Sequence, residues 1–139
     1  MELALGALRA LEQRDLDAIK QICAPDAEFD WSRRLLDPMV VRGYDGMRAF
    51  FQEIDGIFEE IVFTEEEVLE FGEHVLVVST GRFRGRTSGV DVTARAGLVY
   101  TIRDGKLARF RFYQSKEDAL AGLASEGVEL SAGPRAETD

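Results

Sequence analysis

Residues 90–114 read VDVTARAGLVYTIRDGKLARFRFYQ, and the pattern of this stretch decides the fold. Apolar and polar side chains alternate on both sides of Asp104-Gly105, which predicts two antiparallel strands joined in a hairpin. One face of the hairpin is almost wholly apolar and carries Ala96, Leu98, Tyr100, Phe110 and Phe112. The other face suits water or a partner subunit and carries Arg95, Val99, Arg103, Arg109, Arg111 and Tyr113. The hairpin therefore lines a core or a pocket with aromatic side chains.

The register of this hairpin follows from the need to keep charge out of the apolar row. A two-residue loop at Asp104-Gly105 would place Leu98 opposite Arg111, which mixes charge into that row. A three-residue loop, with Gly105 in a left-handed bulge position, avoids the conflict. We therefore expect Leu98 to lie opposite Phe110.

Length and composition bound the class of protein. A chain of 139 residues makes one domain, which buries roughly two-thirds of the surface of its unfolded chain. The formal charge of -9 opposes binding to nucleic acid or to an anionic membrane surface. No apolar run approaches the roughly 20 residues that a membrane span needs. A single cysteine and the lack of a signal-peptide pattern lead us to expect a cytoplasmic, reduced protein.

The remaining periodicities predict helices before strands. We expect helical turns over Leu3–Leu11, a second helix capped by Asp15, and a longer amphipathic helix that starts at Asp45. Strands are predicted at 27–31, 60–71, 75–86, 90–102 and 106–114, a loop at 32–42, and a closing helix capped by Ser115. The domain is assigned to residues 1–124, and residues 125–139 to a flexible C-terminal tail.

This order of elements predicts an α+β domain. In this domain the N-terminal helices and one long helix pack on one face of a curved antiparallel sheet. The order, together with DLDAIKQICAPDAEFDW, VRGYDGMRAFF, RTSGVDVTARAGLVYTIRDGKLARFRFY and DALAGL, resembles the SnoaL-like (polyketide cyclase-like) domains of the nuclear transport factor two-like superfamily. The resemblance covers roughly 4–123. It implies a conical barrel with a deep apolar pocket and a homodimer through the outer face of the sheet.

Catalytic residues of two enzyme classes in this superfamily are not matched here. Aligning Asp26-Ala27 with the ketosteroid isomerase motif puts Trp31 where those enzymes hold their base. The same match puts Leu98 at the position of the second pocket acid of those enzymes, and Ala7 at the position of the tyrosine in their first helix. The epoxide hydrolases of this fold need an Arg-x-Asp on a strand, and none occurs. One histidine and one cysteine make a zinc or iron site improbable, so we expect no cofactor and no metal.

A few polar residues stand out as candidates for chemistry. Asp37 lies in the loop that could cover the pocket mouth, where it would act as an acid or base or occupy a turn beside Pro38. Arg82, on the row of Thr80, would hold an oxygen or pair with the neighbouring acidic strand. Gln114 offers a donor and an acceptor. His74 and Cys23 are interpreted as a turn histidine and a small buried side chain.

The sequence therefore predicts a small-molecule pocket protein. The expected lining comprises Phe29, Trp31, Thr80, Arg82, Leu98, Tyr100, Phe110, Phe112 and Gln114, with Asp37 as the candidate catalytic residue. One function is cofactor-independent isomerase, cyclase or dehydratase chemistry on a flat apolar, polyketide-like or terpenoid-like substrate. The alternatives are a non-catalytic binding protein for a small apolar or aromatic molecule, and a structural dimerisation module. In every case the expected assembly is a homodimer, without nucleic acid or membrane partners.

Overall fold

Alternation in the strands and three- to four-residue spacing in the helices give the chain an α+β architecture, as predicted. The computed structural model describes residues 2–34, 38–130 and 135–136. In order, the elements are α1 (Glu2–Gln13), α2 (Leu16–Ile22), β1 (Cys23–Asp30), β2 (Val40–Arg42), α3 (Gly43–Ile57), β3 (Phe58–Phe71), β4 (His74–Gly85), β5 (Asp91–Arg103), β6 (Lys106–Tyr113), α4 (Lys116–Ser125) and β7 (Arg135–Ala136).

The strands form one sheet in the order β2-β1-β6-β5-β4-β3-β7. All neighbouring pairs for which both strands lie in the described ranges are antiparallel except β1 with β6, which run parallel. Alternate residues of the long strands point to a concave inner face, where α1, α2 and α3 bury their apolar stripes. Met47, Phe50, Phe51 and Ile54 are the buried residues of the longest helix, α3. The three helices α1, α2 and α3 therefore pack on one side of the sheet, its concave face.

The apolar face of the β5–β6 hairpin is confirmed, but the predicted pairing is wrong by two residues. Leu98 lies opposite Phe112, and Tyr100 lies opposite Phe110. The turn is the tight Asp104-Gly105 pair, whose φ angles of 52° and 75° are both positive, as a two-residue hairpin turn of the primed type requires. The extra residue is Ala108, which is left out of the ladder between Leu107 and Arg109. A bulge in the strand, rather than in the turn, keeps the arginines out of the apolar row.

Two of the predicted helix caps are confirmed, and one is wrong. The side chain of Asp15 accepts a hydrogen bond from the Ala18 N–H at the start of α2, and Ser115 accepts one from Asp118 at the start of α4. Helix α3 begins at Gly43 instead of Asp45, after an Arg42 N-cap that makes no side-chain cap bond. The chain reaches this helix directly from β2, so the end of the predicted loop at 32–42 is a strand.

Helix α4 covers one part of the outer face of the sheet, where the pattern predicted water or a partner, while Arg95 and Arg103 on the same face are exposed. Val99 and Arg111 are fully buried, and Tyr113 is nearly so. Helix α4 turns back over these residues and packs Ala119 and Leu123 against the sheet. The buried apolar residues on this side form the outer-face cluster, which consists of Leu69, Phe71, Leu76, Val78, Val99, Tyr113, Ala119 and Leu123. The close approach depends on Gly97, because a Cβ there would lie 2.7 Å from the Ser115 carbonyl oxygen. Local alternation assigns a side chain to a face, but it does not say what covers that face.

The chain also continues over the outer face after α4. Val128 and Leu130 are partly buried against the outer-face cluster. At the edge of the sheet the backbone of β7 pairs with β3, and Arg135 lies opposite Glu70 in this ladder. These residues belong to the stretch 125–139 that the sequence analysis assigns to a flexible tail. Within the described ranges, no helix combines the length and apolar character needed to cross a lipid bilayer.

Candidate functional site

A cavity of about 520 Å³ lies between the inner face of the sheet and helix α3. The sheet contributes side chains from β3, β4 and β5, together with the residue that follows β1 and the end of β6. The lining residues are Leu11, Trp31, Arg34, Phe50, Glu53, Ile54, Ile57, Phe58, Ile61, Phe63, Phe83, Ala94, Arg95, Phe112 and Gln114. Its volume falls in the range of sites that hold drug-sized organic molecules.

The cavity has an apolar interior and a polar rim. The buried part of the lining is aliphatic and aromatic and consists of Leu11, Trp31, Phe50, Ile54, Ile61 and Phe63. The exposed part contains Glu53, Ile57, Ala94, Arg95 and Gln114. A ligand would therefore lose water from its apolar body inside the cavity and keep polar groups near the rim.

Trp31 is held in the cavity wall by three aromatic rings. Its ring centroid lies 4.7 Å from that of Phe50, 4.8 Å from that of Phe110 and 6.0 Å from that of Phe112. The side chain is 7 % exposed, and its indole nitrogen is buried without a hydrogen-bond partner in the described residues. Two stacked rings, Phe50 and Phe112, and the tilted ring of Phe110 fix the indole, so one wall of the cavity is flat and rigid.

Gly81 makes room for two other rings that line the cavity. A Cβ at this position of β4 would lie 2.9 Å from ring atoms of both Phe63 and Phe83. These two rings meet edge to face with their centroids 5.7 Å apart. Any larger residue at position 81 would push the rings toward the cavity, so this glycine contributes to the cavity's width.

The polar groups at the rim already have partners inside the chain. Arg95 pairs with Glu66 at 2.6 Å, and the Gln114 side-chain amide donates to the Arg33 carbonyl oxygen at 2.7 Å. The Arg34 guanidinium lies over the Phe50 ring, 5.5 Å from its centroid. Among the described lining residues, Glu53 supplies the one carboxylate. The rim thus carries cations, an amide and a carboxylate, and these groups lie where they can contact the polar end of a ligand.

The structure brings together three of the residues predicted to line the pocket, namely Trp31, Phe112 and Gln114. Four others, Phe29, Leu98, Tyr100 and Phe110, are buried in the inner core below the cavity. Burial raises the pKa of the Tyr100 phenol, which therefore stays protonated. Tyr100 tilts against Phe110 with ring centroids 5.1 Å apart, so both rings fill the core.

The remaining predicted site residues lie elsewhere. Thr80 and Arg82 continue the row of the outer-face residues Leu76 and Val78 along β4, and they pair with acidic residues of β3. Thr80 donates to a Glu66 carboxylate at 2.6 Å, and Arg82 contacts Glu60 at 3.2 Å. The candidate catalytic residue, Asp37, lies outside the described residues.

Most of the cavity lining was missed by the sequence reasoning. Strand parity already contained part of the signal, because Ala94 continues the row of Ala96 and Leu98 along β5. The amphipathic pattern of α3 marked Phe50 and Ile54 as buried, but not as cavity walls. Which helix faces which strand depends on contacts between residues far apart in the chain.

Other titratable groups lie away from the cavity. Burial lowers the pKa of His74, whose Nδ1 lies 2.9 Å from the Thr101 hydroxyl on the outer face. Burial also raises the pKa of the Cys23 thiol to about 12, so this thiol is unreactive at neutral pH. The described residues contain no group of three or more histidine, cysteine or carboxylate side chains that could hold a metal ion.

Solved structures share this fold at low sequence identity. An NTF2-like protein of unknown function from Burkholderia pseudomallei K96243 is 20 % identical, with a TM-score of 0.70 over 87 % of this chain and 94 % of its own. TerC co-crystallised with polyporic acid is 21 % identical, with a TM-score of 0.71 over 89 % and 96 %. A protein of ketosteroid isomerase-like fold from Catenulispora acidiphila DSM 44928, in complex with trimethylamine, is 14 % identical, with a TM-score of 0.72 over 96 % and 98 %.

At these identities the likeness establishes the fold alone. Among curated protein sequences, none matches this chain. The sequence profile of the SnoaL-like domain matches residues 5–110, which include every element from α2 to β5 and nearly all of α1. The chain therefore belongs to the SnoaL-like domain family.

Proposed function

We propose that this protein binds a flat, largely apolar small molecule in the aromatic cavity. The observation that carries the proposal is the cavity itself, about 520 Å³ in volume, with a buried interior of aliphatic and aromatic side chains. Packed protein cores rarely leave voids of this size without a ligand to fill them. Trp31 on one wall and Phe63 and Phe83 on another favour a ligand that can stack between planar surfaces.

The relatives of known structure are consistent with a site of this kind. TerC has been crystallised with polyporic acid, and the Catenulispora acidiphila protein with trimethylamine. In many unrelated proteins, small-molecule sites combine apolar walls with a few polar groups that orient the ligand. In this chain Gln114, Arg95 and Glu53 would take that orienting role at the rim.

Titration with N-phenyl-1-naphthylamine, a neutral flat fluorophore, tests the proposal. Trp31 is the only tryptophan, so energy transfer from it reports binding within the cavity. The substitution Ala94→Phe places a ring in the cavity mouth and should weaken binding at least about tenfold. Val62→Phe is the matched control, because Val62 is exposed and points to the opposite face of β3 from its neighbours Ile61 and Phe63, which line the cavity, and it should bind the probe as the parent does.

Absence of probe binding by the parent would contradict the proposal. Equal weakening by both substitutions would also contradict it, because the effect would not come from the cavity. Loss of binding by the Ala94→Phe variant alone, with an unchanged melting temperature, would support it.

A second candidate function is acid–base chemistry on the bound molecule, and Glu53 is the observation that favours it. This carboxylate lines the cavity from α3, one helical turn from Phe50 and next to Ile54. From the rim it could remove a proton from a carbon atom next to a carbonyl group of the ligand and return it at another position. Isomerases and cyclases that need no cofactor use this step.

Deuterium exchange into 2-tetralone, a flat ketone, tests the chemical candidate separately from binding. The parent should accelerate exchange at the carbon atoms beside the carbonyl, and Glu53→Gln should remove the acceleration while the probe still binds. Glu59→Gln removes an acidic side chain outside the cavity lining and should change neither property. Binding without accelerated exchange would leave the non-catalytic binding function as the better account.

A further inference from the structure

Exposed apolar side chains gather at the mouth of the cavity. Within the described ranges, the large apolar side chains that keep more than a third of their surface exposed are Val40, Ile57, Val62, Val90 and Val92. Three of these, Ile57, Val90 and Val92, belong to the end of α3 or to the start of β5 and the residue before it. These three residues are called the apolar track below.

Backbone hydrogen bonds hold the two parts of the track together at the end of β4. The Gly85 N–H donates to the Val90 carbonyl oxygen at 3.0 Å, and the Arg86 N–H donates to the Ile57 carbonyl oxygen at 2.8 Å. Gly85 and Arg86 are neighbours in the chain. The end of α3 and the segment that leads into β5 therefore meet at one point of the fold.

The track continues the lining of the cavity outwards. Ile57 and Phe83 line the cavity, and Val92 lies opposite Phe83 in the β4–β5 ladder. Val92 also projects from the same face of β5 as Ala94, which lines the cavity. An apolar surface therefore leads from the cavity wall onto the open end of the hairpin formed by β4 and β5.

The neighbouring charges lie on the other face of this hairpin. Asp91 pairs with Arg84 at 3.1 Å, and these two residues are next to Val92 and Phe83 in their strands. Adjacent strand residues point to opposite faces, so this ion pair lies behind the track. Val92 is 53 % exposed and Ile57 is 47 % exposed. An apolar group that lay on them would release water from apolar surface.

The track has the size of a hydrocarbon chain and not of a protein partner. A standard protein–protein interface takes about 800 Å² and roughly 20 to 30 residues from each partner. Three half-exposed side chains are a small fraction of that area. They are sufficient for a single alkyl chain, which gains affinity with each methylene group that leaves water. Because the track begins at the cavity, such a chain would belong to the molecule bound inside.

We propose that the ligand of the cavity is a flat ring system that carries an unbranched alkyl or acyl chain, and that this chain lies along the apolar track. The inference rests on the proposed binding function. The ring system occupies the aromatic interior, and the chain leaves through the mouth between Ile57 and Ala94. Val92 then determines the specificity for chain length, because it contacts the chain and not the ring system.

Two neutral fluorophores test the proposal, 6-propionyl-2-dimethylaminonaphthalene and 6-octanoyl-2-dimethylaminonaphthalene. They share one ring system, and the second is longer by five methylene groups. Each methylene group that leaves water should tighten binding roughly two- to fourfold, and the cost of ordering the chain offsets part of this gain. The octanoyl compound should therefore bind at least about tenfold more tightly than the propionyl compound. Energy transfer from Trp31 measures both affinities.

Substitutions at Val92 test where the chain lies. Val92→Asp places a carboxylate on the track and should reduce the difference between the two compounds to less than about threefold, with the propionyl compound bound as before. Val92→Ser is a milder change and should reduce the difference at least about twofold, whereas Val92→Leu should preserve it. Val62→Asp is the matched control, because Val62 is an exposed valine on the opposite face of β3 from Ile61 and Phe63, and it should change neither affinity.

The outcomes distinguish this inference from the proposed binding function. Equal affinities of the parent for the two compounds would overturn the inference alone. So would a preference for the octanoyl compound that neither Val92→Asp nor Val92→Ser reduces, or one that Val62→Asp reduces equally. A parent protein that binds neither compound would overturn both the inference and the binding function. A reduced preference in the Val92→Asp and Val92→Ser variants, with propionyl binding retained, would support the inference.

Discussion

Gly122 of α4 lies against the phenol ring of Tyr113 so closely that a side chain at position 122 would overlap it. A Cβ built there would fall 2.7 Å from both Cε1 and Cζ of the ring. Tyr113 closes the end of β6 and is almost fully buried beneath the helix. The packing of α4 on the outer face therefore depends on the absence of a side chain at this point.

We expect Gly122→Ala to lower the free energy of unfolding by about 1 to 3 kcal/mol, because the methyl group must displace the Tyr113 ring or the helix. Gly56→Ala in α3 is the matched control, since a Cβ there meets nothing within 4 Å. Replacing a helical glycine at an open position should stabilise the protein by up to about 1 kcal/mol. Urea titration measures both, and equal effects of the two substitutions would contradict the close packing.

The second prediction concerns the buried charge beneath α4. The Arg111 side chain is 0 % exposed, and its Nη1 lies 2.7 Å from Glu126 Oε1, which joins it to the segment that follows the helix. Glu126→Gln should cost about 1 to 3 kcal/mol of unfolding free energy, because the guanidinium loses its partner while still buried.

The double variant Arg111→Met/Glu126→Gln should recover most of that loss, since the fully buried guanidinium that lost its partner is then absent. Glu60→Gln removes the partner of Arg82 in an exposed pair and should cost less than about 1 kcal/mol. A Glu126→Gln variant as stable as the Glu60→Gln variant would refute the importance of the buried pair.

The third prediction concerns the thiol of Cys23. Burial raises its pKa from the ordinary value of 9.0 to about 12, so the folded protein should not react with a disulfide reagent at pH 8 and should react after unfolding. The folded state holds the thiol proton more tightly than the unfolded chain does. Its contribution to stability is therefore complete below pH 9 and decreases as the pH rises from about 9 towards 12.

Replacing Cys23 by Ala should remove this part of the alkaline destabilisation, which unfolding curves at pH 8 and pH 10 would measure. Rapid labelling of the folded protein at pH 8 would show instead that the thiol is accessible.

The fourth prediction concerns Trp31. Its ring contacts with Phe50, Phe110 and Phe112 make it part of the core as well as a wall of the cavity. Trp31→Ala should lower the free energy of unfolding by about 3 to 5 kcal/mol, whereas a side chain that faced only a void would be lost at little cost. Val92→Ala, at an exposed strand position, should change it by less than about 0.5 kcal/mol. Thermal melts compare the two variants, and similar melting temperatures would show that Trp31 is not packed.

Local pattern was enough to predict several features of this protein. The faces of Leu98, Tyr100, Phe110 and Phe112 and the caps at Asp15 and Ser115 follow from residues close together in the chain, and the order of the elements indicates the α+β class. The SnoaL-like family follows from a resemblance that extends over most of the chain. Strand alternation and capping depend on neighbours within a few positions, so the amino-acid order expresses them directly.

Features that depend on long-range packing were not predictable in the same way. Whether the extra residue of the hairpin lies at Gly105 or at Ala108 depends on which bulge best satisfies the β5–β6 ladder, and both choices give the same alternation. The cavity is formed because α3 faces Ile61 and Phe63 of β3, which the helix pattern alone does not specify.

The amino-acid sequence by itself determined which side chains are apolar, on which face of its strand or helix each lies, and hence the fold class. Only the tertiary structure decided what each face meets: α4 over Val99 and Arg111, the inner core at Tyr100 and the cavity at Phe112. The physical reason is that burial is a property of two surfaces in contact. A periodic pattern describes one of those surfaces, and the chain supplies the other from residues far away in sequence.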